Sequence, residues 1–96
     1  MIARHYIIHA RQGEELSVKA GLIELAELAR SAPGCHGIDL LHDLDNGRRF
    51  IFLETWESID AHKSAKNPDA SALLARLVPL FNDRPEAAYC EKVMTV

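Results

Sequence analysis

Six side chains carry the chemistry this sequence can offer: His36, His42, Glu54, Trp56, His62 and Arg76. A histidine half-buried beside an aromatic ring suits a general base, because its pKa lies close to working pH. An arginine in the same cleft can hold a phenolate or a carboxylate. Each also has a plainer role: surface His and Arg, an ordinary His–Glu54 hydrogen bond, and core filling for Trp56. The five histidines invite a metal reading. His5 and His9 would be partners on a helix, but on a strand they sit roughly 13 Å apart, and the same objection separates His36 from His42. No Cys-x-x-Cys, His-Glu-x-x-His or calcium-loop spacing occurs, so no metal site is expected. Cys35 follows a turn, but no local motif offers it a base, and it reads as a small buried residue at a strand start. There is no Gly-rich phosphate loop, Gly-x-Ser-x-Gly or haem-attachment motif.

These residues need elements to position them. The stretch Arg48 to Trp56 is aromatic and β-branched with no Gly or Pro inside, so it reads as a central strand that delivers Trp56 to its end. Before it, Ala3 to Ala10 predicts a strand. Glu14 and Glu15 then suit a helix N-terminus, with Val18, Leu22, Leu25, Ala26 and Ala29 on one stripe before the Pro33-Gly34 stop. Gly21 inside that helix is a mild cost. Cys35 to Leu44 predicts a second strand, joined to the central one through Asp45-Asn46-Gly47. Ser58 is an N-cap candidate, and Ser58 to Lys66 can form a short helix. Asn67-Pro68 reads as an N-cap with Pro at the first position of a further helix bearing Leu73, Leu74, Leu77 and Val78, ended or kinked at Pro79. Asn82 to Pro85 is a loop and Ala87 to Val96 a last strand.

The register of the hairpin decides which side chains share a face. A two-residue loop would set Ile38, Leu40 and His42 with Ile51 and Leu53. A three-residue loop with Gly47 in a bulge sets them with Phe50, Phe52 and Trp56. The second arrangement segregates one strongly apolar face (Ile38, Leu40, Leu44, Phe50, Phe52, Trp56) and brings His36, His42 and Glu54 to it, as a helix-covered sheet requires. The order β-α-β-β-α-β is the ferredoxin-like plan of an α+β fold: a four-stranded antiparallel sheet with helices on one face. The other face still carries Leu41, Ile51 and Leu53, so a second sheet is expected to pack there, most simply in a two-fold homodimer.

The chain has 96 residues, 14 acidic against 11 basic, for a net charge of −3. That is one domain, residues 1–96, with a modest core. No basic stripe points to nucleic acid or anionic membrane, and no apolar run approaches the roughly 20 residues of a membrane span. The start lacks the apolar region of a signal peptide, and the only cysteines, Cys35 and Cys90, are far apart. Both features predict a cytoplasmic protein with reduced thiols.

Pro33-Gly34-Cys35, an alternating strand, an Asn-Gly turn, Phe-x-Phe-x-Glu-x-Trp-Glu-Ser from Phe50 to Ser58, and Ala61-His62 together resemble the antibiotic biosynthesis monooxygenase family. The likeness spans nearly the whole chain and is strongest from Pro33 to His62. It implies a homodimer closing a dimeric α/β barrel and, for the characterised enzymes, oxidation of quinol- or anthrone-like aromatics by O₂ with no metal or flavin. It further implies a pocket with Trp56 at the end of the central strand, His42 on the preceding strand, His62 on the following helix and Arg76 on the last helix. Phe52 stands where the polyketide-oxidising members have an Asn. Ala65 to Asp69 lacks the His of many relatives. Asp69 to Val78 lacks the ligand of the haem-degrading branch.

The expected function is therefore cofactor-free oxidation of a small electron-rich aromatic. His42 or His62 would be the base, Arg76 would stabilise the anion, and Trp56, Phe52, His36 and Glu54 would form the substrate wall. The alternatives are a non-catalytic dimeric binding or stress protein of the same fold, and an isomerase of small phosphorylated sugars.

Overall fold

The computed structural model describes residues 1–96. In chain order it contains β1 (Ile2–His9), α1 (Glu15–Ala29), β2 (Cys35–His42), β3 (Arg49–Trp56), α2 (Ile59–Ser64), α3 (Pro68–Leu77), a 3-10 turn (Val78–Leu80) and β4 (Glu86–Glu91). The strands form one sheet in the order β2-β3-β1-β4, and every neighbouring pair is antiparallel. This is the expected α+β ferredoxin-like architecture, with the helices on one face. No helix is long and apolar enough to cross a membrane.

Alternation along β3 organises the sheet. Phe50, Phe52, Glu54 and Trp56 are buried on the helix side, while Arg49, Ile51, Leu53 and Thr55 alternate with them. β2 pairs His42 with Phe50 and Leu40 with Phe52, which is the register that sets the apolar residues of both strands on one face. The turn itself is wider than expected. Gly47 is not among the glycines with positive φ, so it forms no left-handed bulge. The connection is instead tied down by Asp43, whose Oδ1 accepts from the Asp45 and Asn46 amides at 2.8 and 3.1 Å. Leu44, expected on the covered face, is fully exposed on this loop. A bulge does occur at the other end of β2, between Cys35 and Gly37, and it turns His36 out to solvent.

Both helices after β3 start on side-chain caps. Ser58 Oγ accepts from the Ala61 amide at 3.0 Å, and Asn67 Oδ1 accepts from the Asp69 and Ala70 amides at 3.0 and 3.2 Å, with Pro68 in the first turn. These bonds satisfy amides that the helices cannot pair internally. α3 ends at Leu77, just ahead of Pro79 as expected, and Pro79 lies in the 3-10 turn that follows. β4 stops at Glu91, short of the expected Val96, because its partner strand β1 begins at Ile2, opposite Glu91. Gly34 adopts φ +84° in the turn before β2, and a Cβ there would lie 2.7 Å from that of Ala61. The turn therefore needs glycine on both conformational and steric grounds.

The core is Val18 and Leu22 of α1, Ile8, Phe50 and Phe52 of the sheet, Leu73 and Leu77 of α3, and Phe81. On the opposite sheet face Leu41 remains 49% exposed and Ile51 and Leu53 are half-buried. Gly21 is buried where α1 meets α3, and a Cβ at this position would overlap Leu77 Cδ2. Glycine lowers helix propensity, but here it lets the two helices approach. On an exposed helix, Gly→Ala would stabilise by roughly 0.5–1 kcal/mol. In this chain Gly21→Ala is expected to destabilise by about 1–3 kcal/mol, the usual effect of overpacking a core. Urea unfolding checks this, and a stabilised variant would show that Leu77 yields without strain.

Candidate functional site

The end of the sheet at Trp56 supports a cavity of about 480 Å³ between the strands and the helices. Its walls are mostly apolar, with Tyr6, Phe52 and Trp56 on the sheet side and Leu25 and Leu74 on the helix side. Four charged or titratable side chains join them: Glu54, His62, Lys66 and Arg84.

Each polar group is delivered by a specific pairing. β1 sets Arg4 opposite Glu54 and Tyr6 opposite Phe52, and β4 sets Tyr89 opposite Arg4, so all share the helix-covered face. The Ser58 cap starts α2 directly after β3 and brings His62 back over the sheet, edge-on to Trp56 with ring centroids 5.3 Å apart. Trp56 is 2% exposed and Glu54 is 7% exposed. The indole Nε1 donates to Glu54 Oε1 at 2.9 Å, so each satisfies a buried polar atom of the other. His62 is engaged on both sides: Nε2 lies 3.2 Å from the Tyr6 hydroxyl and 3.6 Å from Glu54 Oε1, and Nδ1 lies 2.8 Å from the Tyr89 hydroxyl. The Arg4 guanidinium packs on the Tyr89 ring, 4.1 Å from its centroid, and 5.0 Å from that of Tyr6.

Burial governs the electrostatics. It pushes the Glu54 carboxyl above its ordinary range, against the opposing pull of the Trp56 hydrogen bond and the Arg4 charge. It lowers the His62 pKa, and Arg4 and Lys63 lower it further. It raises that of Tyr6 despite the nearby Arg4. Burial and the nearby cations thus favour the neutral imidazole of His62.

Of the seven residues expected at a site, the structure brings Phe52, Glu54, Trp56 and His62 to this cavity. The other three lie elsewhere. His42 is on the expected face but opposite Phe50, six residues along β3 from Trp56, or roughly 20 Å. It is exposed, stacks on Phe50 at 4.3 Å and meets the Gly47 carbonyl at 2.8 Å. His36 is exposed at the bulge, and Arg76 is exposed on α3 and does not line the cavity. Arg4, Tyr6 and Tyr89 are the site residues that the sequence reading missed. Arg4 and Tyr6 have the two-residue spacing of one strand face, but only the pairing of β1 with β3 reveals which face. No group of three or more His, Cys, Asp or Glu side chains is arranged to hold a metal ion.

Solved structures share this fold over their full length. A Nitrosomonas europaea protein bearing the antibiotic biosynthesis monooxygenase name superposes with a TM-score of 0.90 at 13% identity, covering 98% of this chain and 100% of its own. One from Bordetella bronchiseptica with the same name gives 0.83 at 24% identity and 97% of both chains. A single-residue variant of SnoaB, a cofactor-independent oxygenase from Streptomyces nogalater, gives 0.87 at 17% identity, covering 99% of this chain and 95% of that one. No functionally curated protein matches the sequence. The sequence model of one family matches residues 1–74, and on that match the chain belongs to the antibiotic biosynthesis monooxygenase family.

Proposed function

We propose that this protein oxidises a small electron-rich aromatic, quinol- or anthrone-like, with O₂. The observation that carries the reading is His62, set edge-on to Trp56 in a largely apolar cavity of about 480 Å³ where burial favours its neutral form. Phe52, Trp56 and Tyr6 would hold the ring, and His62 would remove the proton whose loss makes the substrate an anion. The anion passes one electron to O₂, and the radical pair combines at carbon. Loss of water then leaves a carbonyl, so an anthrone methylene and O₂ become a ketone and H₂O. Arg84 and Lys66, rather than Arg76, are the cations placed at the cavity to offset the negative charge. The mostly apolar lining, with few partners for sugar hydroxyls, favours an aromatic over a sugar phosphate.

Oxygen uptake with naphthohydroquinone and anthrone tests the proposal. Turnover is expected without added metal or flavin, and activity lost to a chelator and restored by a metal would overturn that part. Absence of uptake with tight aromatic binding would make the protein a binder instead. His62→Ala is expected to fold normally and to lower kcat by roughly 10²–10⁴-fold, the usual worth of a general base. Full turnover in that variant would remove His62 from the mechanism.

The active form carries neutral His62, so activity should fall on the acid side with a midpoint below the ordinary histidine value of 6.5. The stability sign agrees. Because the folded-state pKa is depressed, the unfolded chain binds the proton first as pH drops. The contribution is full above 6.5 and is lost as pH falls through the folded value. His62→Asn should flatten both dependences in this window; an unchanged acid limb would assign it to another group.

The second sheet face supports a homodimer as the working form. Ile7, Leu41, Ile51 and Leu53 lie together on it, and the helices are already committed to the other side. Light scattering is expected to give a dimer mass at micromolar concentration. Ile51→Asp would bury an unpaired charge and raise the dissociation constant by about a hundredfold, or roughly 3 kcal/mol. A wild-type monomer would refute the interface.

A further inference from the structure

We infer that Tyr6, His62 and Tyr89 form a proton-transfer chain leading from the cavity to Tyr89 on the edge strand β4. Tyr6 would be the group that meets the substrate hydroxyl, and Tyr89 the positioning residue that sets the tautomer of His62. The inference rests on the oxygenase reading for what enters the cavity, but not for the chain itself.

Both ring nitrogens of His62 face phenols. Nε2 lies 3.2 Å from the Tyr6 hydroxyl and Nδ1 lies 2.8 Å from the Tyr89 hydroxyl. Tyr6 and His62 line the cavity, whereas Tyr89 does not. The hydroxyls thus mark an inner and an outer end. A neutral imidazole has one N–H and one lone pair, so its two partners must play opposite roles. The Arg4 guanidinium near Tyr6, 5.0 Å from its ring centroid, offers donors only, so the Tyr6 proton has its acceptor at Nε2. Nε2 is then the acceptor, and Nδ1–H donates to the Tyr89 oxygen. Glu54 Oε1, at 3.6 Å from Nε2, is too far to claim a proton there and already accepts from Trp56. Burial keeps Tyr6 protonated at rest, as a link that passes a proton on must be. Arg4 and Lys63 lie over the Tyr89 ring, 4.1 and 6.0 Å from its centroid.

The transfer balances. The O–H bond of a quinol, or of the enol form of an anthrone, breaks and its electron pair stays on the substrate oxygen, while its proton goes to the Tyr6 oxygen. The Tyr6 proton moves to Nε2, the Nδ1 proton moves to the Tyr89 oxygen, and the Tyr89 proton leaves to water. His62 ends neutral in the other tautomer, so the cavity gains only the charge of the substrate anion. The reverse sequence, run when the product oxygen is protonated, restores the first tautomer. This ordering explains how a buried histidine that resists becoming an imidazolium can still accept a proton.

The test begins on ligand-free protein, where ¹⁵N NMR of His62 in its neutral form reports which nitrogen carries the proton. The expected wild-type state is Nδ1–H with a hydrogen-bonded, unprotonated Nε2. Tyr89→Phe keeps the ring and removes the acceptor, and is expected to shift the population toward Nε2–H. Tyr6→Phe is expected to leave Nδ1–H in place and abolish the hydrogen-bond signature at Nε2. A wild-type ring protonated at Nε2, or a tautomer unmoved in Tyr89→Phe, overturns the inference. With any quinol or anthrone the wild type consumes, Tyr89→Phe should lower kcat at least about tenfold, short of the ~10²–10⁴ of a whole acid–base group, with KM unchanged. An unchanged kcat also overturns it. Failure of the wild type to consume oxygen would sink the oxygenase reading instead, and the NMR result would still decide the chain.

Discussion

The pairing of β1 with β3 is the constraint on which the site depends. It puts Tyr6 across from Phe52 and Arg4 across from Glu54. Because side chains alternate with a period of two, a slip of one residue would bring His5 and Ile7 to the cavity and send Arg4 and Tyr6 to the far face. The buried row Phe50, Phe52, Glu54, Trp56 resists that slip. Phe50 and Phe52 are sealed against α1 and α3, and turning them out would expose most of the core. Packing of apolar groups thus fixes the position of polar ones.

The polar groups sit where solvent cannot help them. A carboxyl buried as deeply as Glu54 is tolerated because the Trp56 indole donates to it and Arg4 lends charge across the strand. His62, two phenols and Arg4 extend the same cluster, so most of its members find a partner inside it. The fit is incomplete, since Arg4 Nε is buried without a hydrogen-bond partner. The arrangement favours neutral Glu54 and neutral His62 at once, for the same reason: desolvation penalises either charge. Removing one member would leave others unpaired, so the cluster behaves as a unit.

The helices matter to the site through their placement. Leu77 seats over Gly21, which sets how closely α3 approaches α1, and the cavity lies beside that contact, where Leu25 and Leu74 line it. The caps at Ser58 and Asn67 place the starts of α2 and α3 in quick succession after β3. His62 reaches Trp56 because that connection is short.

What the sequence determined by itself is local. The aromatic alternation from Phe50 to Trp56, the hairpin parity, the two N-caps and the Pro33-Gly34 stop each rest on residues a few positions apart, and they specified the βαββαβ order and the faces of β2 and β3. They also placed Phe52, Glu54, Trp56 and His62 together, since all four lie on one strand and the helix that follows it. The tertiary structure alone decided the rest. Strand periodicity tells which face His42 occupies but not which end of the sheet the helices leave open, so His42 lies far from Trp56 despite the correct register. Arg76 shares a helix with the core leucines, and only the rotation of α3 about its axis sends it to solvent. Arg4, Tyr6 and Tyr89 come from the two ends of the chain, brought side by side by ladders between strands far apart in sequence. No short-range pattern encodes such pairings, because their register is set by which apolar surfaces the whole fold must bury.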